Sequence, residues 1–213
     1  MKIFGIDPGS ERTGYGCIES SGSRHRLIAC GILSAPARST FPEKLLAIHS
    51  GLRALLERHR PECVAVENIF YAKNVRSALK LGHARGVALL AASEASIPVV
   101  EYSPAEIKRS VVGYGRAEKP QVKAMMKLLL GLDEPPSPHD VADALAVAIC
   151  HIHTSSSVVG RVTRATAGAT SRGAVRSWRP VAPPYLWPQA RRAAAAVPPR
   201  RRMRATNRSR RHA

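Results

Sequence analysis

Apolar positions along the 213-residue chain follow two clear periods up to about residue 154 and none beyond it. Residues 2–6 are a short apolar run stopped by Asp7-Pro8-Gly9-Ser10, which reads as a first strand and its turn. Thr13–Glu19 and Arg26–Leu33 are rich in β-branched and apolar residues and flank a turn-like Ser20–Ser23, so the first three strands form an antiparallel meander. Phe41–Arg58 changes to helical spacing, with Leu45, Ile48, Leu52, Leu55 and Leu56 on one face. Cys63–Val66 is a fourth strand, Ser77–Ser96 a long helix of small residues, and Ile97–Tyr102 a fifth strand. Ser103-Pro104-Ala105-Glu106 is a capping box with proline at the first helical position, opening a helix that runs to Val112. Helices over Pro120–Leu130 and Pro138–His153 complete the order β-β-β-α-β-α-β-α-α-α. That order predicts the α/β class: a five-stranded mixed sheet flanked by helices.

Charge divides the chain at the place where the periodicity stops. Residues 1–154 hold 19 of the 33 Lys and Arg and all 15 acids, a net +4, and have the length of one domain with a sizeable core. Residues 155–213 hold 14 Arg, no Lys and no acid. Their Arg/Ala/Pro/Ser composition cannot bury enough apolar surface to offset chain entropy, so a disordered tail is expected there. Such a tail adds non-specific affinity for nucleic acid, or is incidental. No apolar run reaches a membrane span and Asp7 interrupts the position of a signal peptide, so a cytoplasmic protein is expected. Cys17, Cys30, Cys63 and Cys150 lack C-x-x-C spacing and read as small buried apolar residues in a reducing compartment. Cys150-His151-Ile152-His153 crowds three metal-ligand types onto one helix end, where a packing role is the simpler account.

Against this background the acids are oddly placed. The chain has four aspartates, and three of them, Asp7, Asp140 and Asp143, lie within or at the end of apolar stretches. Glu67 ends the fourth strand in the same way. A buried, unpaired carboxylate costs several kcal/mol, so these groups need compensating positive charge, and no cation stands beside them in sequence. Asp140 and Asp143 are i and i+3 on one helix face, while Asp7 and Glu67 end strands that a central sheet brings side by side. Hard oxygen donors in that pattern suit Mg²⁺, with Mn²⁺ as substitute, and two such ions about 3.5–4 Å apart suit in-line phosphodiester hydrolysis.

The motifs then fall into an ordered series. Gly5-Ile6-Asp7-Pro8-Gly9 with Thr13-Gly14-Tyr15-Gly16 is followed by Val66-Glu67-Asn68-Ile69-Phe70 and by Ala78-Leu79-Lys80-Leu81-Gly82-x-Ala84-Arg85-Gly86. Lys108-x-x-Val111-Val112-Gly113-x-Gly115-x-Ala117-x-Lys119 and Asp140-x-x-Asp143-Ala144-Leu145-Ala146 complete it. This series, over residues 1–153, strongly resembles the RuvC family of bacterial Holliday junction resolvases. The resemblance implies an RNase H-like fold over residues 1–154 and a homodimeric, Mg²⁺-dependent endodeoxyribonuclease with two metal ions per subunit. It would cut two strands of like polarity across a four-way junction, in recombination and repair, alongside the RuvA–RuvB branch-migration complex. Asp7, Glu67, Asp140 and Asp143 are then the catalytic, metal-binding acids. Some relatives carry His at the third position, which leaves open whether His139 takes part beside Asp140.

The basic and aromatic residues fit a DNA substrate. Phe70, just beyond Glu67, is placed to stack on an unpaired base, a contact worth about 1–3 kcal/mol, and the resemblance implies stacking at the junction centre. Lys73, Arg76, Lys80 and Arg85 lie beside it in sequence, while Lys108, Arg109, Arg116 and Lys119 bracket the Gly113–Gly115 loop. Charges on helices usually mark a solvated face, but here acids are few and a phosphodiesterase has use for phosphate contacts. The small-residue helix with Gly82-x-x-x-Gly86 permits close helix approach, within one subunit or, as the resemblance implies, between two. Among other readings, the first loop also looks like that of actin-like ATPases, which need a second domain for which there is no room. A ribonuclease H acting on RNA–DNA hybrids is the nearest alternative nuclease.

Overall fold

The computed structural model describes residues 1–68 and 74–156, all within one compact unit. Strands β1 (Lys2–Asp7), β2 (Thr13–Ser21) and β3 (Arg24–Leu33) are followed by helix α1 (Phe41–His59), β4 (Cys63–Glu67), α2 (Val75–Glu94) and β5 (Val99–Tyr102). Helices α3 (Pro104–Val112), α4 (Lys119–Leu130) and α5 (His139–Ser156) close the series. The sheet runs in the order β3-β2-β1-β4-β5. The first three strands are the antiparallel meander that the turns predict, whereas β4 and β5 are parallel to β1 because a helix carries the chain back each time.

Alternation along the strands splits the core in two. Phe4, Ile6, Val64 and Val66 face α1 and α2, packing with Ile48, Leu52, Leu56, Ala88 and Ala91. Ile3, Ile18 and Ala65 face α5, which α3 and α4 cover from outside. α5 is apolar nearly all round, with every residue from Ala144 to Ile152 buried, as befits a helix held between a sheet and two other helices. It lies flush on the sheet because β1 and β2 present glycine beneath it. A Cβ on Gly5 would collide with the Ala144 carbonyl, and one on Gly14 with the Asp140 carbonyl. No side chain larger than hydrogen fits at either place.

Local signals set the helix starts. Ser103 and Glu106 form the expected reciprocal capping box, with the Ser103 N–H donating to Glu106 Oε2 at 2.8 Å. The polar motif at the end of α5 serves packing: the Tyr102 hydroxyl bonds His151 Nδ1 at 2.8 Å, and His153 Nδ1 lies 3.0 Å from the Ser110 carbonyl. Cys17, Cys63 and Cys150 are buried as expected. Cys30 is exposed instead, because β3 is the edge strand and one of its faces meets solvent. Among the described residues no helix is long and apolar enough to cross a membrane. The expected tail beyond residue 156 lies outside the described residues.

Candidate active site

Parallel pairing of β1 with β4 puts the C-terminal ends of two neighbouring strands, Asp7 and Glu67, on one edge of the sheet. Gly14 is the cross-strand partner of Asp7, and the Asp140 backbone rests on Gly14. The first turn of α5 therefore lies over the same edge, and Asp143 follows one turn on along the same face. Three distant segments thus bring four carboxylates together. None is sealed in the interior: Ile6 and Val66 are fully buried, and the acid is in each case the next residue, half-buried where the core ends.

The carboxylates act strongly on one another. Burial, then Glu67, Asp143 and Asp140, push Asp7 up to about 8, and Lys119 offsets only part of this. Glu67 is raised by burial and by Asp143, and is relieved by Lys119, Lys108 and a hydrogen bond with Asp7. A protonated Asp7 donating to an ionised Glu67 satisfies both, so the two titrate as a pair. Lys119, at the start of α4, donates from Nζ to Asp143 Oδ2 at 3.3 Å, and Asp143 is the main cause of its raised pKa.

Four carboxylates facing Lys119 and Lys108 leave an excess of negative charge, which adds to burial in raising Asp7. Among the described residues no three His, Cys, Asp or Glu side chains form a ready-made metal cage. The donor set is still the all-oxygen, anionic one that a hard divalent cation takes. Chemically, such an edge can hold cations against a phosphodiester and would repel that diester without them.

The basic residues singled out in the sequence are placed unequally. Lys108 and Lys119 reach the field of the acids. Arg109 and Arg116 are exposed around the loop between α3 and α4. Arg76 is exposed at the start of α2, and the Lys80 ammonium lies 5.8 Å from the centre of the Phe41 ring. Arg85 points elsewhere, its guanidinium paired with Glu101 on β5. Phe70 and Lys73 lie outside the described residues. His139 is exposed at the first position of α5. Sequence reasoning did not single out Gly5 and Gly14 for their packing role, although small residues facing an alanine-rich helix were the available signal. Nor did it foresee that Lys119 pairs with a catalytic candidate, a contact 24 residues apart.

Comparison with known proteins identifies the relatives of this chain. The family model described as crossover junction endodeoxyribonuclease RuvC matches residues 3–151. The RuvC crossover junction endodeoxyribonuclease of Desulforamulus reducens is 50% identical over 162 residues, spanning 76% of this chain and 99% of that protein. Its counterpart from Chloroflexus aurantiacus is 51% identical over 155 residues, 73% of this chain and 94% of the other. Among solved structures, T. thermophilus RuvC in complex with a Holliday junction substrate is similar with a TM-score of 0.67 at 35% identity. That match covers 73% of this chain and 95% of the other.

Proposed function

The chain belongs to the RuvC family of crossover junction endodeoxyribonucleases, and from that premise we propose that it resolves Holliday junctions. In this reading it hydrolyses one phosphodiester in each of two strands of like polarity. The observation that carries the reading is the convergence of Asp7, Glu67, Asp140 and Asp143 on one sheet edge, with Asp7 pushed up to about 8 by burial and by the other three. These four residues would hold Mg²⁺, two ions per subunit, with Mn²⁺ as substitute. Bound there, the metal supplies an activated water and stabilises charge on the scissile phosphate. The chain's own contribution is to fix the donors on rigid elements and to set Lys108 and Lys119 where a phosphate would enter. Arg76, Lys80, Arg109 and Arg116 extend positive charge away from the acids, with Phe70 and Lys73 completing the set proposed to meet DNA; Arg85, expected there from the sequence, is engaged with Glu101 instead.

Symmetric cutting needs two active sites related by a two-fold axis. The outer face of α2 supports a homodimer: Val75, Leu79 and Leu90 are exposed, and a groove of about 500 Å³ runs past Leu79, Gly82, Gly86 and Leu90. A Cβ at Gly82 or Gly86 would meet nothing within 4 Å, so neither glycine serves packing within the subunit. Cooperation with a RuvA–RuvB complex and a cytoplasmic location belong to the same proposal, with family membership as their support.

The test is cleavage of a synthetic mobile four-way junction, with and without Mg²⁺, beside an RNA–DNA hybrid. Paired, ligatable nicks in the junction that require Mg²⁺ and vanish in Asp7→Asn, with junction binding retained, are expected. Cleavage of the hybrid in preference to the junction would replace this reading with that of a ribonuclease H.

A further inference from the structure

Lys119 occupies an unusual place for a cation. It is the first residue of α4, where the helix dipole disfavours positive charge, and the one acid at that helix start is the N-cap Glu118, whose side chain is turned to the helix backbone in a capping box. Its backbone is nevertheless fixed. Gln121 Oε1 accepts from the Glu118 N–H at 2.8 Å and from the Tyr114 hydroxyl at 2.7 Å, and Ala117 is buried just before. The stem is thus anchored while the side chain is 64% exposed, and among the described residues one contact holds the ammonium, the 3.3 Å pair with Asp143. The same ammonium acts on Asp7 and Asp140 as well. A single contact on a mostly exposed side chain is weak and easily exchanged.

We propose that Lys119 is the built-in counter-cation of the metal-free site: a divalent ion competes with it for Asp143, and metal loading releases the ammonium toward the incoming phosphate. This rests on the four acids being the metal site, and it adds an order of events to that reading. Without metal, Lys119 holds part of the carboxylate charge in check, so the edge survives its own repulsion. With metal, that task passes to the ion, and an anchored cation becomes available beside the place where a phosphate must bind. Exchange of this kind couples metal binding to substrate binding, because the same lysine cannot satisfy both partners at once.

The experiment is calorimetric titration of the full-length, DNA-free protein with Mg²⁺, comparing wild type with Lys119→Met, Lys119→Arg and Asp143→Asn. Removing the competitor should tighten Mg²⁺ binding about two- to fivefold in Lys119→Met, the range expected from losing one partly exposed ion pair. Lys119→Arg, which keeps the charge, should stay near wild type, and Asp143→Asn should bind Mg²⁺ more weakly. A structural role for Lys119 alone would not tighten metal binding in one variant and restore it in the other. Unchanged or weaker binding in Lys119→Met, with Asp143→Asn still impaired, would overturn the exchange and leave the metal site standing. Unchanged binding in Asp143→Asn would overturn the exchange together with the assignment of Asp143 as a ligand.

Discussion

Asp7 keeps its proton to about pH 8 in the metal-free fold, whereas an unperturbed aspartate releases it near 3.8. Between those values the folded state binds a proton that the unfolded chain does not. Stability from this group is therefore fully present at low pH and is lost as pH rises toward 8. Glu67 is shifted in the same direction. Thermal unfolding without divalent ions should show wild type losing stability between pH 5 and pH 8 more steeply than Asp7→Asn. Saturating Mg²⁺ should raise the wild-type melting temperature more at pH 8 than at pH 6, since only the folded state offers the assembled site. Equal pH slopes in wild type and Asp7→Asn would contradict the coupling. Sequence showed which residues belong to this cluster, because carboxylates at the ends of apolar runs are rare enough to stand out. It could not show their depth, which depends on where the core stops, one residue short of each acid on β1 and β4.

The elements were legible wherever local chemistry alone decides them. Ser103 and Glu106 cap α3 as their spacing requires, and Ile48, Leu52 and Leu56 of α1 are buried on the face their period marks. Contacts between elements were not legible, because they depend on which faces meet. Nothing local links Arg85 to Glu101, or shows that Gly5 and Gly14 lie under α5 while Gly82 and Gly86 lie under nothing. That contrast makes a prediction for α2. A glutamate at Gly82 has room within the subunit, so the monomer should fold with nearly unchanged stability. On a self-complementary helix face it places like charges opposite each other, and dimerisation should weaken at least tenfold in sedimentation equilibrium. A Gly82→Glu protein that remained dimeric at wild-type concentrations would move the interface away from this face.

At the scale of the whole chain, the family match ends at residue 151, and the 14 arginines beyond residue 154 fall outside it. Among the described residues every core residue precedes residue 153, so deleting residues 157–213 removes those arginines and none of the described core. The shortened protein should cut junctions at the same positions. Its affinity for duplex and junction should fall alike, and its binding should depend less steeply on salt, because fewer counterions are released. An unchanged slope would show that these arginines do not touch DNA. α5 adds a practical consequence. Its first turn carries Asp140 and Asp143, and the exposed Ser156 stands at its other end, 13 residues beyond Asp143 and about 20 Å along the helix axis. A dye coupled to a cysteine placed at residue 156 would be carried on the same rigid rod as the acids yet stay clear of them. Energy transfer from that dye to a labelled junction arm would time the arrival of DNA separately from the cut.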